Sequence, residues 1–370
     1  MATVGRMLAA TGGSVLIVTV VLSAVRTVVL PRGEPVLVTR SVFVSLRWLF
    51  GLWARRAKTY QERDRFMALY APLGLVMLPG VWVALVTAGF TGLNWGLGVD
   101  PLREAFFLAG SSMLTLGYDA PPSFWTHVTS LVDAMLGLAL IALLISYLPS
   151  IYAAFQRREL LVARLTTRAG EPASASEMIR RHHAIDRLDA LDDLWDEWES
   201  WFADIEETHT SQPALVFFRS ISHDRSWVTA AGVVLDTAAL RCSTLDLPAN
   251  AQAQLCIRAG YLSLRRIATY FSIATDDDPA PDDPISIDRS EFDSLYDQLA
   301  SAGVPVKADR VQCWRDYQGW RVNYDAALIG LAGLTMAPYA PWSSDRSLRY
   351  RRPPLTRRAR RRRLSAGAAG

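Results

Sequence analysis

Long uncharged runs of apolar residues alternate with charged segments along the first 156 residues. Residues 7–25 and 66–99 carry no charge, and Asp133 is the only charge between Phe124 and residue 156. A helix needs roughly 20 apolar residues to cross the hydrocarbon core of a bilayer. The pattern therefore predicts three membrane-spanning helices. A cleaved signal peptide is the alternative for the first run, although its 19 uncharged residues are long for such a segment.

Clusters of basic residues adjoin the second and third runs. Arg40 and Arg47 interrupt an apolar stretch at residues 38–57, which predicts an amphipathic helix lying in the membrane interface. Lys and Arg residues cluster at 55–65, before the second run, and at 157–168, directly after the third. The positive-inside rule makes both clusters cytoplasmic. The N-terminus would then lie outside and the C-terminal half in the cytoplasm.

Four segments follow from these patterns. We expect an N-terminal transmembrane helix with an interfacial helix, a module of two spans around a short helix, a helical acidic cytoplasmic domain, and a basic disordered tail. Their bounds are residues 1–65, 66–156, 157–345 and 346–370.

The charge of the chain is unevenly distributed. Its net charge is +4 over residues 1–150, −11 over residues 151–345 and +10 over residues 346–370. An acidic body with a basic end does not have the single basic face of a nucleic-acid-binding domain, so no nucleic acid is expected. Arg357–Arg363 could instead attract anionic lipid, dock on the acidic body or stay solvated.

The cytoplasmic segment shows helical spacing throughout. Apolar residues recur every three or four positions over residues 185–207, and further helices are expected near 213–221, 225–243, 249–273, 289–302 and 306–335. No βαβ alternation and no nucleophile motif is recognisable. Cys242, Cys256 and Cys313 lack the spacing of metal ligands. We therefore expect an all-α domain, no enzymatic activity and no cofactor.

The segment between the second and third runs is too short to cross a membrane. Asp100 and Pro101 are typical of a helix start, with Asp as N-cap, and residues 101–114 could form an apolar helix. Such a helix between two spans predicts a re-entrant segment, which membranes tolerate only inside protein or around a water-filled cavity.

A Thr-Leu-Gly-Tyr sequence follows this short helix at residues 115–118. The order of span, short helix, Thr-Leu-Gly-Tyr and span resembles the pore module of tetrameric potassium channels of the two-transmembrane type. A bacterial subgroup of that family with an extra N-terminal membrane helix is similar over residues 10–175. The resemblance implies an all-α membrane protein with a re-entrant pore helix and a filter loop, assembled as a homotetramer.

The resemblance also implies roles for single residues. Backbone carbonyls of an extended strand at Thr115, Leu116, Gly117 and Tyr118 would replace the hydration shell of a permeating potassium ion, and Thr115 would add its hydroxyl. Tyr118 would pack outward and hold the strand in place. Asp119 stands where the family has a second glycine. Asp adopts left-handed backbone conformations more readily than most residues, so the strand could keep its shape.

The third run contains three residues of interest. Gly137 is a candidate hinge of the inner helix, or alternatively a point of close helix packing. Pro149 should kink the cytoplasmic end of the same helix. Asp133 is an intramembrane acid, which marks either a functional site or a hydrated position near the outer interface.

The sequence thus predicts a tetrameric channel for monovalent cations, above all potassium, with a divergent filter. The 37 Arg against 2 Lys we interpret as the codon usage of a GC-rich bacterium. With its predicted spans and cytoplasmic C-terminal domain, the protein is expected in the bacterial inner membrane, with several passes. The alternative is a non-conducting membrane anchor or scaffold whose cytoplasmic helical domain binds a protein partner.

Overall fold

The computed structural model describes residues 2–28, 37–54, 56 and 59–347. It is 75% helical and has no strand in that part of the chain, which confirms the all-α expectation. Arg55, Lys58 and Arg357–Arg363 lie outside the described residues. The helices are α1 (Ala2–Val28), α2 (Leu37–Ala54), α3 (Tyr60–Ala68), α4 (Tyr70–Gly96), α5 (Leu102–Met113), α6 (Phe124–Ala169), α7 (Ala175–Ala184), α8 (Asp192–Ser211), α9 (Trp227–Ser243), α10 (Ala251–Tyr270), α11 (Arg289–Ser301), α12 (Arg310–Arg321) and α13 (Asp325–Thr335).

Three stretches of the described chain are long and apolar enough to cross a membrane. They are Thr3–Val28, Tyr60–Gly96 and Phe124–Ala169. They match the three runs predicted from the sequence, except that residues 97–99 of the second run lie beyond Gly96. The chain is therefore a membrane protein. The last stretch is one helix of 46 residues. At 1.5 Å per residue it is about 69 Å long, more than twice the roughly 30 Å of a hydrocarbon core.

The chain divides into two compact units. The first contains Met1–Ala153 and Ser211–Phe218, and the second contains Ala154–Thr210 and Arg219–Gly370. The 46-residue helix α6 contributes to both. We call the first the membrane unit and the second the C-terminal unit.

In the membrane unit, glycines let α1 and α4 come into backbone contact. A Cβ added to Gly13 would overlap the carbonyl oxygen of Gly89, and one added to Gly92 would lie 2.9 Å from the carbonyl oxygen of Ala9. Apolar side chains have no hydrophobic drive to associate inside a bilayer, so close packing of small residues takes its place. Arg6 of α1 reaches Asp100 and forms an ion pair with it.

Helix α2 packs on α4 through aromatic side chains. The Tyr70 hydroxyl donates to the carbonyl of Phe43 at 3.1 Å, and the two rings meet edge to face. Trp48 and Trp53 on α2 are exposed.

Helix α6 buries a single stripe along its whole length. Buried positions recur every three, four or seven residues, which is the periodicity of one helix face. The stripe consists of Thr126, Asp133, Gly137, Leu140, Tyr147, Ile151, Ala154, Arg158, Val162, Leu165 and Ala169. Pro149 lies outside this stripe, within a helix that continues through it to Ala169.

In the C-terminal unit, α9 is the central helix, since all its residues except Cys242 are buried. Three helix predictions for the C-terminal half were partly wrong. The helix expected near 213–221 is only a 3-10 helix of five residues, Pro213–Phe217. The helix expected over 185–207 begins only at Asp192, because Asp186 takes a left-handed conformation with φ of 53° and ends the preceding helix. The helix expected over 306–335 is broken into α12 and α13. At the break the carbonyl of Asn323 accepts a hydrogen bond of 2.7 Å from Arg265.

A buried ion-pair network holds α9 to α12 and α13. Both carboxylate oxygens of Asp236 accept from one guanidinium nitrogen of Arg321, at 2.7 and 2.9 Å. The hydroxyls of Tyr317 and Tyr324 donate to the same carboxylate. Burial by itself would lower the pKa of Arg321, but Asp236 and Asp325 raise it well above its usual range. The charges are therefore desolvated but fully partnered.

Removal of one partner of this network should strongly destabilise the C-terminal unit. We expect Arg321→Met to lower the free energy of unfolding by about 3–5 kcal/mol, because it leaves the buried Asp236 carboxylate uncompensated. Chemical denaturation of the purified chain, followed by tryptophan fluorescence, measures this loss. Arg315→Met on the exposed side of α12 is the matched control. Equal stability of the two variants would contradict the role assigned to the network.

A second buried cation contacts a histidine. A guanidinium nitrogen of Arg158 lies 3.1 Å from Nε2 of His209, and both side chains are buried. The His209 ring also packs on Trp227. Burial and the adjacent Arg158 cation together keep the pKa of His209 well below its usual value. The folded protein therefore favours the neutral ring, which accepts a hydrogen bond from Arg158.

This depressed pKa predicts a loss of stability in mild acid. The unfolded chain takes up a proton at His209 below about pH 6.5, whereas the folded chain does not. The stabilisation is complete above that pH and declines, by up to about 1.4 kcal/mol per pH unit, as pH falls toward the folded pKa. Melting temperatures at pH 7.5 and 5.5 measure the effect. His209→Gln should reduce the difference, and His223→Gln, at a partly exposed position, should not.

Candidate functional site

The short helix α5 is the first component of the candidate site. Its 12 residues extend about 18 Å, too little to cross a bilayer. The expectation that Asp100 caps it was wrong. Pro101 occupies the N-cap position, without a side-chain cap, because the Asp100 carboxylate pairs with Arg6 instead.

The carbonyl end of α5 rests directly on α6. Ala109 and Met113 join the apolar core of the membrane unit, together with Phe90 of α4 and Leu140 of α6. A Cβ added to Gly137 would overlap the carbonyl oxygen of Met113. The structure thus supports the close-packing interpretation of Gly137, since only a residue without a side chain permits this contact.

A Schellman motif ends α5. The Thr115 N–H donates to the Ser112 carbonyl at 2.9 Å, and the Leu116 N–H donates to the Ser111 carbonyl at 2.8 Å. This pattern requires a left-handed residue, usually glycine, directly after the helix. Here Thr115 occupies that position with φ of 54°. A left-handed conformation costs a β-branched residue roughly 1–2 kcal/mol.

The loop after α5 differs from the extended strand expected at Thr115–Tyr118. Thr115 belongs to the helix cap, so extended backbone can begin only at Leu116. Gly117 also takes a left-handed conformation, with φ of 69°, whereas Asp119 does not have a positive φ. Asp119 therefore does not reproduce the conformation expected of a glycine at its position.

The side chains of the loop face away from the subunit. Leu116 is 60% exposed and Tyr118 62% exposed, so the Tyr118 side chain points outward, and its expected role of holding the strand in place stays a prediction. Asp119 is partly buried. Leu116 and Tyr118 therefore leave two large side chains exposed in this loop.

Asp133 lies on the buried stripe of α6, one turn from Gly137. It is fully buried, and neither carboxylate oxygen has a hydrogen-bond partner in the protein. The Asp133 side chain is therefore not at an exposed position of this chain. One turn earlier, the Thr129 hydroxyl donates to Asn94 Oδ1 of α4 at 2.7 Å. Sequence reasoning identified Asp133 but missed this pairing, because nothing local links residue 94 to residue 129.

Ser111 is the functional candidate that sequence reasoning missed. It is buried in the last turn of α5, and both of its oxygens accept backbone N–H groups of the loop. The available signal was a serine four residues before Thr115, which is a weak one. Of the two residues expected on the inner helix, Gly137 contacts the end of α5 beside the loop. Pro149 lies three turns further along α6.

No family model, curated protein or solved structure matches the chain. Within the described ranges, no group of three or more His, Cys, Asp or Glu residues is placed to hold a metal ion. The fold by itself defines the class: an all-helical membrane protein with three helices able to span a bilayer and a short apolar helix between the last two.

The contact at Gly137 can be tested by adding one methyl group. We expect Gly137→Ala to displace α5 and to lower the melting temperature of the detergent-solubilised protein, because the new Cβ collides with a backbone carbonyl that cannot move aside. Gly80→Ala is the matched control, since a Cβ there meets no atom within 4 Å. Replacing a helical glycine with alanine should by itself leave the free energy of unfolding unchanged or raise it by up to about 1 kcal/mol. Equal melting temperatures would contradict the assigned contact.

Proposed function

We propose that this chain is one subunit of a homotetrameric pore-loop channel for monovalent cations, with potassium as the permeant ion. Four copies of the loop at Thr115–Asp119 would surround a common axis and form the filter. The protein would lie in a bacterial inner membrane, with its C-terminal unit in the cytoplasm and without a cofactor.

The observation that carries the proposal is the form of the segment between α4 and α6. A helix too short to span a membrane is packed into the core of the membrane unit. In the loop directly after it, the N–H groups of Leu116 and Tyr118 donate hydrogen bonds to Ser111 at the helix end. Non-helical backbone is tolerated at membrane depth only inside protein or along a water-filled cavity. A pore lined by this loop fulfils that condition.

The second candidate is a non-conducting membrane anchor or scaffold that binds a protein partner through its C-terminal unit. One observation favours it. Asp119 replaces the second glycine of the resembling family and does not take a left-handed conformation. The carbonyls beyond Tyr118 would then diverge from the arrangement that coordinates potassium in that family.

Potassium flux into liposomes separates the two candidates. The wild-type protein should carry a potassium flux, and Gly117→Val and Tyr118→Ala should each reduce it at least about tenfold, since both change the backbone or support of the loop. Gly12→Ala, which adds a Cβ in open space, should leave it unchanged. The assembly should have four times the chain mass of 41.0 kDa.

Two results would argue against a channel. A monodisperse monomer in several detergents would remove three quarters of the required filter. Absence of flux, together with a partner that co-purifies with both wild type and Gly117→Val, would favour the scaffold.

A further inference from the structure

Ser111 makes two bonds to the loop through two different atoms. Its carbonyl accepts the Leu116 N–H at 2.8 Å, and its side-chain Oγ accepts the Tyr118 N–H at 3.1 Å. The residue is only 1% exposed. The first bond belongs to the helix cap and would exist with any residue at this position. The second depends on the hydroxyl.

These two bonds determine where the loop carbonyls point. The N–H and the C=O of a trans peptide plane point in opposite directions, and the planes before Leu116 and Tyr118 are trans. Since both N–H groups are directed at Ser111, the carbonyls of Thr115 and Gly117 both point away from it. Thr115 and Gly117, the two residues whose carbonyls point away from Ser111, both have left-handed backbone.

The hydroxyl is well suited to this role. A serine side chain near a helix end commonly donates to a carbonyl one turn earlier, and a hydroxyl can still accept through its remaining lone pairs. A partly buried N–H without an acceptor is unfavourable. The Tyr118 amide is therefore held by a single side-chain atom, and no backbone acceptor replaces it.

We propose that Ser111 is a positioning residue of the filter. Its hydroxyl fixes the orientation of the Gly117 carbonyl and thereby sets the discrimination between potassium and sodium, which depends on the number and arrangement of coordinating carbonyls. The inference rests on the proposed channel function. It extends that function from the loop itself to a residue of the preceding helix.

The test compares Ser111→Ala with Ser111→Thr, which keeps the hydroxyl, and with Ser112→Ala at the neighbouring position. Hydrogen exchange of the loop amides is measured on the full chain in detergent, and potassium and sodium flux in liposomes. Ser111→Ala should accelerate exchange of the Tyr118 amide about five- to tenfold, the loss of one hydrogen bond. The Leu116 amide should keep its protection. The potassium-to-sodium flux ratio should fall in Ser111→Ala and be retained in Ser111→Thr and Ser112→Ala.

The outcomes separate this inference from the channel proposal. An unchanged Tyr118 amide, or a faster one with an unchanged flux ratio, overturns the role of Ser111 and leaves the channel standing. Absence of any wild-type flux overturns the channel, and the selectivity role of Ser111 with it. If Ser111→Ala does not fold, amide hydrogen exchange of the wild-type protein provides the test. The Tyr118 amide should then exchange more slowly than the Gly117 amide. Equal exchange of the two amides overturns the inference.

Discussion

The backbone contact between Gly137 and the carbonyl end of α5 is the constraint on which the candidate site depends. Two helices approach this closely only where one of them lacks a side chain. The contact fixes the depth at which α5 ends within the membrane unit, and hence the level at which the loop begins. A residue of any size at position 137 would push the helix end and loop away from α6.

The loop is stabilised by hydrogen bonds to Ser111 and strained at Thr115. Its Schellman motif would be satisfied most easily by glycine, yet Thr115 holds the left-handed position. Strained residues persist where surrounding structure over-determines them, and they are concentrated at functional sites. The proposed channel would use the Thr115 hydroxyl as a ligand for the permeant ion, so under that proposal the residue that weakens the helix cap would also supply a ligand atom. The Ser111 bonds compensate by holding the backbone on both sides of Leu116.

Buried ionisable side chains have different surroundings in the two units. In the C-terminal unit Asp236, Arg321, Arg158 and His209 are all desolvated, and all have partners that satisfy them. In the membrane unit the Asp133 carboxylate has no partner in the protein. Unpaired acids within membrane segments are costly and are commonly connected with function. Asp133 lies one turn from Gly137, so the unpaired carboxylate is close to the contact that holds the end of α5 and the loop after it.

The sequence by itself determined the helical class, the three apolar spans, the short helix before Thr115 and the apolar face of α8. All of these follow from composition and spacing over a few helical turns, where hydrophobic period and length act locally. It misplaced the start of α8 and missed the break at Asn323, because the carbonyl freed there is satisfied by Arg265, more than 50 residues away.

Only the tertiary structure decided which polar groups meet. Asp100 pairs with Arg6 and does not cap α5. Asn94 accepts a hydrogen bond from Thr129, and the Ser111 hydroxyl accepts one from the Tyr118 amide. Side-chain hydrogen bonds depend on distances of a few tenths of an ångström between elements that are remote in sequence or joined by a turn. Such distances are set by helix packing, here by Gly13, Gly89 and Gly137, and periodicity along the chain carries no information about them.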